Sequence, residues 1–600
     1  MLFFICGLIG AVLFAITARS VLSAGVRAVA GFLILGIVGY FTTPTLGWNF
    51  MFLPFWVLLF GIAGTVLNFA TDESRYESRG VSLGGLALIG IGAIWLIVVP
   101  IFTTWGAFHA NEYRNMVGDV QEAQFADDVS PVDINQVRTV SEGLARRMGE
   151  KRLGEIPGLG SRANLGQMNI QIVNGCFGAM DNNNRRQELC FNNELVWVAP
   201  LVHSGVFKQW SHGSTPGYIM VSASDVSRVI MVTALDNVRA NTADNARMGG
   251  SEAVATQQLQ LRYLVSGGYF GYNVERHLRS NGYLTRGVTD YSFEIRDDGR
   301  PFWVATTYDK NVGFSGADAN GVVTVDAQTG AIEAYSIEEA PQWIDRIQPE
   351  SFVQTQLNDW GELVHGYWNW GNTDKLTTTP GMSLVFGADG QSYWYSGLQS
   401  VGADQGTVGF VLVNTRTKEA RWYRVAGATE TAAVGSAENA RGVREAGYVG
   451  SNAILYNVAN IPTYFTVLHG SDGLPKMYAF INVEDYNIVG VGRSPRDALR
   501  DYQINLSRSR SVDVDDLVDR EAFEAVVTAI TTEMSGDAVF YYMMLEGKDG
   551  KEYYAGQSVS VELKWTRVGD TVQLVIDDGE SRSVNIVRFD NTRVGLTTTD

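Results

Sequence analysis

Apolar residues are concentrated at one end of this chain. Four long runs, roughly Leu2–Ala18, Ala28–Thr43, Phe50–Ala70 and Val81–Trp105, carry almost no charge. Beyond them, apolar and polar residues alternate in short bursts separated by Gly, Asn, Asp and Thr. A helix of about 20 apolar residues crosses the hydrocarbon core of a bilayer, and about 17 is the lower limit. The third and fourth runs reach that length easily and the first two lie near the limit, so about four transmembrane helices are expected within residues 1–105. No Lys or Arg precedes the first run, and Ile16–Ala18 is a poor small-x-small cleavage site, which favours a retained helix over a cleaved signal peptide. Trp48 and Trp105 fall at the ends of predicted spans, where aromatic rings populate the membrane–water boundary.

Past residue 105 the periodicity changes several times. A polar connector, 106–135, leads to Val137, Val140, Leu144 and Met148, spaced as one face of a helix. Val353, Leu357, Trp360 and Val364 predict a second helix over Pro349–His365; Glu252–Val265 and Ser436–Glu445 are further candidates. Ser494 and Pro495 read as an N-cap followed by a first-turn proline, opening a helix through Tyr502. Between the helices lie clusters of alternating strands that resemble one another. GVVTVDAQTGAIEAYSI (Gly321–Ile337) and GFVLVNTRTKEARWYRV (Gly409–Val425) align without gaps, and the strands before them match through Trp303 and Trp394. Looser copies are Pro462–Leu468 with Lys476–Gly492, and Leu195–Leu201 with Gly217–Val232. The predicted unit is one helix and a three-stranded antiparallel sheet, used about four times: copies one and two over 136–345, three and four over 346–510. In 511–600, an acidic helical link (Asp513–Thr532) precedes short strands joined by Asp-Gly turns, which indicate a small β-barrel of SH3-like or OB type. The expected fold class is therefore a membrane α-helical region followed by an α+β region of tandem repeats and a C-terminal barrel.

The segment GVVTVDAQTGAIEAYSIEEAPQWIDR (Gly321–Arg346), with its strand, Asp-x-x-Thr-Gly turn and second strand, resembles the PepSY-type repeat of bacterial extracytoplasmic proteins. From Trp360–Trp370 to GVGRSPRDALRDY (Gly490–Tyr502) the chain is also similar to a family of uncharacterised multi-pass membrane proteins of bacteria and some large phages. The PepSY likeness implies inhibition or regulation of proteases outside the cell, or a role as a cell-envelope module. The Gly409–Val425 and Leu195–Val232 copies lack the Thr-Gly of that turn.

Charge sets an orientation and excludes one class of partner. The only cations in the apolar region are Arg19 and Arg27 in one expected loop, and Arg75 and Arg79 in another; Thr43–Trp48 between them has none. Positive loops stay in the cytoplasm, so the N-terminus and everything after Trp105 are expected outside, with the chain multi-pass in the cell (inner) membrane. Arginines nearly balance carboxylates in residues 1–105, so the net charge of −18 belongs almost entirely to the outer region. An acidic surface repels phosphates, and nucleic acid is not an expected partner. Cysteine usage agrees with this orientation. Cys6 lies in the first apolar run; Cys176 and Cys190 flank a polar loop turning at Asp181–Asn184. In an oxidising compartment they would form a disulfide worth about 3 kcal/mol for a loop of about 15 residues; in the cytosol they would be two buried thiols. No nearby His pair completes a zinc set.

Catalytic patterns are absent from the sequence. None of the six His forms His-Glu-x-x-His, and neither Gly-x-Ser-x-Gly nor a Walker A loop occurs. No catalytic, cofactor-binding or metal-ligating residue is assigned, and no cofactor is expected. Transport is disfavoured because no charge is expected within the spans. The most suggestive local feature is Trp360, Tyr367, Trp368 and Trp370, flanked by Asn369 and Asn372. Such faces suit stacking on a glycan or a partner protein, but packing of the helix end and following strand into the core is the favoured expectation, for Trp360 above all. These features point to a non-enzymatic, membrane-anchored envelope protein. Its outer region would bind or regulate a protein partner, the candidates being a protease, an envelope-assembly factor or a second copy of the chain. The alternative is an envelope hydrolase acting on glycan or peptide through carboxylates brought together only in space.

Overall fold

In the computed structural model the apolar runs form α1 (Leu2–Ala15), α2 (Val21–Thr42), α3 (Phe52–Ala70) and α4 (Leu83–Thr104). The structure describes residues 1–70, 82–125, 129, 131–134, 136–180, 186–235, 257–387, 390–402, 406–510, 521–535, 538–548, 550–557, 559–576 and 583–594. Arg75, Arg79, the Asp181–Asn184 turn, residues 513–520 of the expected link and the Asp-Gly turn at 577–579 lie outside the described residues. Helices α2, α3 and α4 are long and apolar enough to cross a membrane; α1, with 14 residues, is shorter.

Helix α2 starts well before the expected Ala28 because Ser20 caps it. Ser20 Oγ accepts the Ser23 N–H at 3.2 Å, and Ser23 Oγ accepts the Ser20 N–H at 3.2 Å. Arg27 therefore lies inside the helix and not in a loop. It is buried, donating to the Thr17 carbonyl (2.8 Å), Thr17 Oγ1 (2.9 Å), the Gly64 carbonyl (3.3 Å) and Asn68 Oδ1 (2.7 Å). These acceptors lie just past the end of α1 and within the last two turns of α3, on the negative side of both helix dipoles. The expectation of no charge among the apolar helices is thus corrected.

Glycines bring these helices into backbone contact. A Cβ on Gly10 would lie 2.3 Å from the Gly31 carbonyl oxygen, and one on Gly31 would lie 2.2 Å from that of Gly10. Gly64 faces Thr17 Oγ1 in the same way (2.1 Å), and Gly84 faces the Ile16 carbonyl (2.1 Å). Small residues of this kind let apolar helices gain close dispersion contacts.

Hydrogen bonds tie the ends of these helices to the β-rich region. After α5 (Gly106–Arg114), α6 (Glu142–Gly154) and α7 (Val206–His212) comes α8 (Val274–Ser280), which meets the C-terminus of α2. Arg276 Nε donates to the Tyr40 carbonyl (3.1 Å), Arg279 Nε donates to the Thr43 carbonyl (3.3 Å), and Thr43 Oγ1 donates to Glu275 (2.8 Å). At the end of α4, Thr104 Oγ1 accepts the Phe314 N–H at 3.0 Å.

Four sheets come next, each with its successive strands antiparallel; the third also takes Val120–Glu122 in parallel beside Ala420–Tyr423. The first is built on Asn169–Met180, Arg186–His203, Tyr218–Ser222 and Val229–Val232; the second is Gly287–Ile295, Pro301–Val312, Ser315–Asp326 and Ile332–Tyr335. The third contains Ser383–Phe386, Ser392–Ser400, Gly409–Asn414 and Ala420–Tyr423; the fourth Ile454–Val458, Ile461–His469, Pro475–Asn482 and Val489–Gly492. Each has four successive strands where three were expected. Helices α6, α8, α9 (Glu350–Glu362) and α10 (Glu430–Asn439) precede them in turn.

Two local devices recur. Buried indoles of the second strands donate outside their sheets: Trp197 to the Val140 carbonyl (2.8 Å), Trp303 to that of Tyr263 (2.9 Å) and Trp394 to that of Gln348 (2.9 Å). Where the third strand ends, a side-chain oxygen accepts a following backbone N–H in every sheet: Ser222 from Asp225 (3.0 Å), Asp326 from Thr329 (2.8 Å), Asn414 from Thr417 (2.9 Å) and Asn482 from Asp485 (2.8 Å). The turn residue with positive φ is Gly330 in the second sheet and Lys418 in the third.

Side-chain alternation explains the packing order. In the first sheet, Val196 and Val198 pack against Phe293, Trp303 and Val323 of the second. Trp197 and Ala199 point the other way, into a cluster with α6, α9 and Val411 and Val413 of the third. Phe410 and Leu412 then join Tyr464 and Ile481 of the fourth. The first and third sheets are covered on both faces.

Four expected helices differ. The one expected over Ser436–Glu445 is instead the last turn of α10 and, after an extended Ala440, a separate short helix over Val443–Ala446. Ser141 caps α6, with its Oγ accepting the Leu144 N–H at 3.4 Å, so Val137 and Val140 precede the helix. The described part of Glu252–Val265 is extended: Leu259 and Leu261 are buried at period two, and Leu261 bridges Thr215. In the second compact unit, Arg500–Asp600, Glu521–Ser535 is a strand over most of the expected helical link, consistent with its β-branched Val526–Thr528 and Ile530–Thr532. This strand pairs with Ala538–Leu545 and Thr571–Ile576, while Ser583–Asn591 pairs with Thr571–Ile576 and Glu552–Gly556, and Glu552–Gly556 with Ala538–Leu545. Helix α11 (Pro495–Arg510) begins as expected at Ser494, whose Oγ accepts the Asp497 N–H at 3.1 Å, and outruns Tyr502.

Gly31→Val should separate α1 from α2, at the roughly 1–3 kcal/mol that overpacking costs. The apparent melting temperature of the detergent-solubilised chain should fall by several degrees. Gly25→Ala, where nothing lies within 4 Å of the added carbon, should leave it unchanged.

Candidate functional site

The first, second, third and fourth sheets all contribute to one polar cleft of about 420 Å³. The segments before α6 and α9 supply Arg138 and Arg346, and the first residues of those helices supply Glu142 and Glu350; strand Gly287–Ile295 supplies Asp290 and Ser292. The two arginines are arranged alike. The Arg138 guanidinium lies 5.1 Å from the Trp197 ring centre, and that of Arg346 lies 6.0 Å from Trp394. The indole that anchors each helix start thus also carries a cation on its face. Arg138 is held through its backbone N–H, which donates to Tyr456 Oη at 3.1 Å, and Arg346 Nη2 donates to Asn169 Oδ1.

Behind the lining strand sits a fully buried carboxyl. Glu294 Oε1 accepts from Ser292 Oγ at 2.7 Å, while Oε2 has no hydrogen-bond partner among the described residues. Burial, reinforced by the nearby Asp345, pushes Glu294 up to about 8. Asp345 is pushed up to about 6, mainly by burial, although the Ile172 N–H (2.9 Å) and the Arg346 and Arg416 guanidiniums pull it down. Glu294 is therefore mostly protonated at neutral pH. Neither the cleft nor this carboxyl was visible in the sequence, because their parts come from segments far apart in the chain.

The expected aromatic cluster divides. Trp360 is half-buried, its ring 5.8 Å from that of Trp422, and belongs to the core. Tyr367, Trp368 and Trp370 stay together at the surface, with successive ring centres 5.1 and 5.6 Å apart. Asn369 is used to hold their loop: its Nδ2 donates to the Thr373 carbonyl (2.7 Å) and its Oδ1 accepts the Thr373 N–H (3.2 Å). Cys176 and Cys190 form the expected disulfide at directly paired positions of neighbouring strands in the first sheet. Among the described residues, no three His, Cys, Asp or Glu side chains are grouped to hold a metal ion. Comparison with protein-family models, curated proteins and solved structures returns no match for the chain.

An acid with a raised folded pKa favours folding at low pH, and that contribution is lost as pH rises from the usual carboxylate range towards about 8. Glu294→Gln should therefore melt close to the parent chain at pH 5 and at higher temperature at pH 8. The gap should open by up to about 1.4 kcal/mol per pH unit. Parallel pH profiles for the two chains would refute this assignment.

Proposed function

We propose that this chain is a multi-pass protein of the cell membrane whose β-rich region, outside the membrane, binds or regulates a protein partner without catalysing a reaction. The four-sheet cleft is the observation that carries this reading. It offers two guanidiniums, three carboxylates (Glu142, Asp290 and Glu350) and the polar side chains of Asn169, Ser292, Ser383 and Asn452. Mixed charges and amides suit an extended polypeptide segment, since guanidiniums pair with carboxylates, carboxylates pair with Lys or Arg, and amides meet backbone groups. The Cys176–Cys190 disulfide supports an oxidising compartment. The shared side-chain-to-backbone turn after each third strand supports four copies of one PepSY-like unit, with Asn414 and Lys418 replacing the Asp and Gly of the turn at Asp326 and Gly330. The ring of strand pairings in residues 521–591 supports a small C-terminal barrel.

A photo-crosslinking residue in place of Ser383 should capture one discrete protein in the membranes of the native cell. Arg138→Glu with Arg346→Glu should abolish that adduct while leaving the protein level unchanged. Capture of nothing, or of an adduct indifferent to both substitutions, would overturn the binding reading. A second reading, envelope hydrolase, rests on the three carboxylates lining one cleft. Turnover of envelope glycan or peptide by the purified full chain, lost on Glu350→Gln, would put hydrolysis in place of binding.

A further inference from the structure

Several of the most exposed aromatic rings in the outer region are tethered near the ends of the apolar helices. The first group is the Tyr367–Trp370 loop, where Trp368 is 62% and Trp370 81% exposed. Its anchor is Trp105, directly after α4, whose indole N–H donates to Tyr367 Oη at 3.2 Å, with the rings 6.0 Å apart. Phe102 and Phe108, both exposed, stack beside Trp105 and continue the surface of α4 towards the loop.

The second group lies at the end of a different helix. Phe207 (77% exposed) and Trp210 (84%) project from α7, and Phe270 (63%) from the segment beside it. Gln209 joins the two segments, donating to the Tyr269 carbonyl (3.3 Å) and accepting the Tyr269 N–H (2.7 Å). Phe270 is in turn tied to α2. One guanidinium, that of Arg276, donates to the Phe270 carbonyl (3.0 Å) and to the Tyr40 carbonyl at the last turn of α2 (3.1 Å).

From these two tethers we propose that both aromatic groups rest in the lipid headgroup layer, seating the outer region on the bilayer at two separate points. The inference depends on the helices crossing the membrane, as proposed above. Helices α2 and α4 both end where the outer region begins, so their C-termini share one leaflet surface. Tyr367 is bonded to the residue that follows α4, Phe270 shares Arg276 with the last turn of α2, and Phe207 and Trp210 are joined to Phe270's segment by Gln209, which keeps both groups near the level of that surface. Trp is the side chain that prefers this layer, because its apolar rings favour lipid while its N–H stays hydrated. A solvent-facing site would leave five large rings in water with nothing covering them. A lipid seat covers them with a surface whose position is already set by the adjacent helices. The seat also distinguishes Trp360, half-buried against Trp422, from its exposed neighbours Trp368 and Trp370.

The test uses the full chain in phosphatidylcholine vesicles. Cys6 is buried, and Cys176 and Cys190 are joined, so single Trp368→Cys and Trp210→Cys substitutions accept an environment-sensitive fluorophore at one position. Exposed Val449→Cys on the fourth sheet serves as the outer control, and Ile62→Cys within α3 as the membrane control. Lipids carrying a spin label near the headgroup should quench positions 368 and 210 at least twofold more strongly than position 449. Quenching of 368 and 210 equal to that of 449, with full access to aqueous iodide, would overturn the seat and leave these rings as a protein or glycan surface. Failure of deep spin labels to quench position 62 would instead overturn the membrane-spanning reading itself.

Discussion

A helix that ends among apolar side chains leaves carbonyls needing donors, and arginine meets that need at both ends of the helical region. Arg27 serves the Thr17 carbonyl just past α1, and Arg276 and Arg279 serve the end of α2. An unmet carbonyl in an apolar setting costs free energy comparable to a lost hydrogen bond, so these contacts are obligatory and not decorative. Arg276 and Arg279 belong to α8, which leads directly into the second sheet. The direction of α2 therefore sets the placement of that sheet, and the other three are placed by packing on it in turn. The Thr104–Phe314 hydrogen bond adds a second fixed point on the same sheet.

From that sheet the layers build outward through side-chain alternation. Tyr218–Ser222 and Gly409–Asn414 are buried along their whole length, as strands covered on both faces must be. The cleft arises where this layering leaves a gap between the helix starts of α6 and α9. Its two Arg–Trp pairs are a by-product of holding those helix starts, since the same indoles accept the cations on their faces and donate to the preceding carbonyls.

Much of the fold could be read from local pattern. Run length located the apolar helices, alternation located the strands, and Ser494 marked the start of α11. Pattern failed where two signals competed. Val137 and Val140 keep helical spacing with Leu144, yet Ser141 stops the helix short of them. Leu259 and Leu261 carry a period of two that a helix-length window obscures. Arg27 looked like a loop cation because a charge breaks an apolar run, although its acceptors on two other helices make the position tolerable. The candidate site was the least legible part. Trp368 and Trp370 could be singled out by residue type, but their separation from Trp360 depends on which rings the third sheet can cover. The cleft and Glu294 depend on contacts between residues more than a hundred positions apart, which no local window contains.

The packing order of the sheets also bears on how the molecule is made. The first sheet in the chain is covered on one face by the second sheet and on the other by α6, α9 and the third. A chain synthesised from its N-terminus completes this layer when only α6 is in place to cover it. For that interval Val196 and Val198 present an uncovered apolar face, and Trp197 and Ala199 have α6 alone against theirs. The disulfide between Cys176 and Cys190 closes within this same layer and needs no later residue. It can hold the two longest strands in register while the nascent sheet waits for its neighbours.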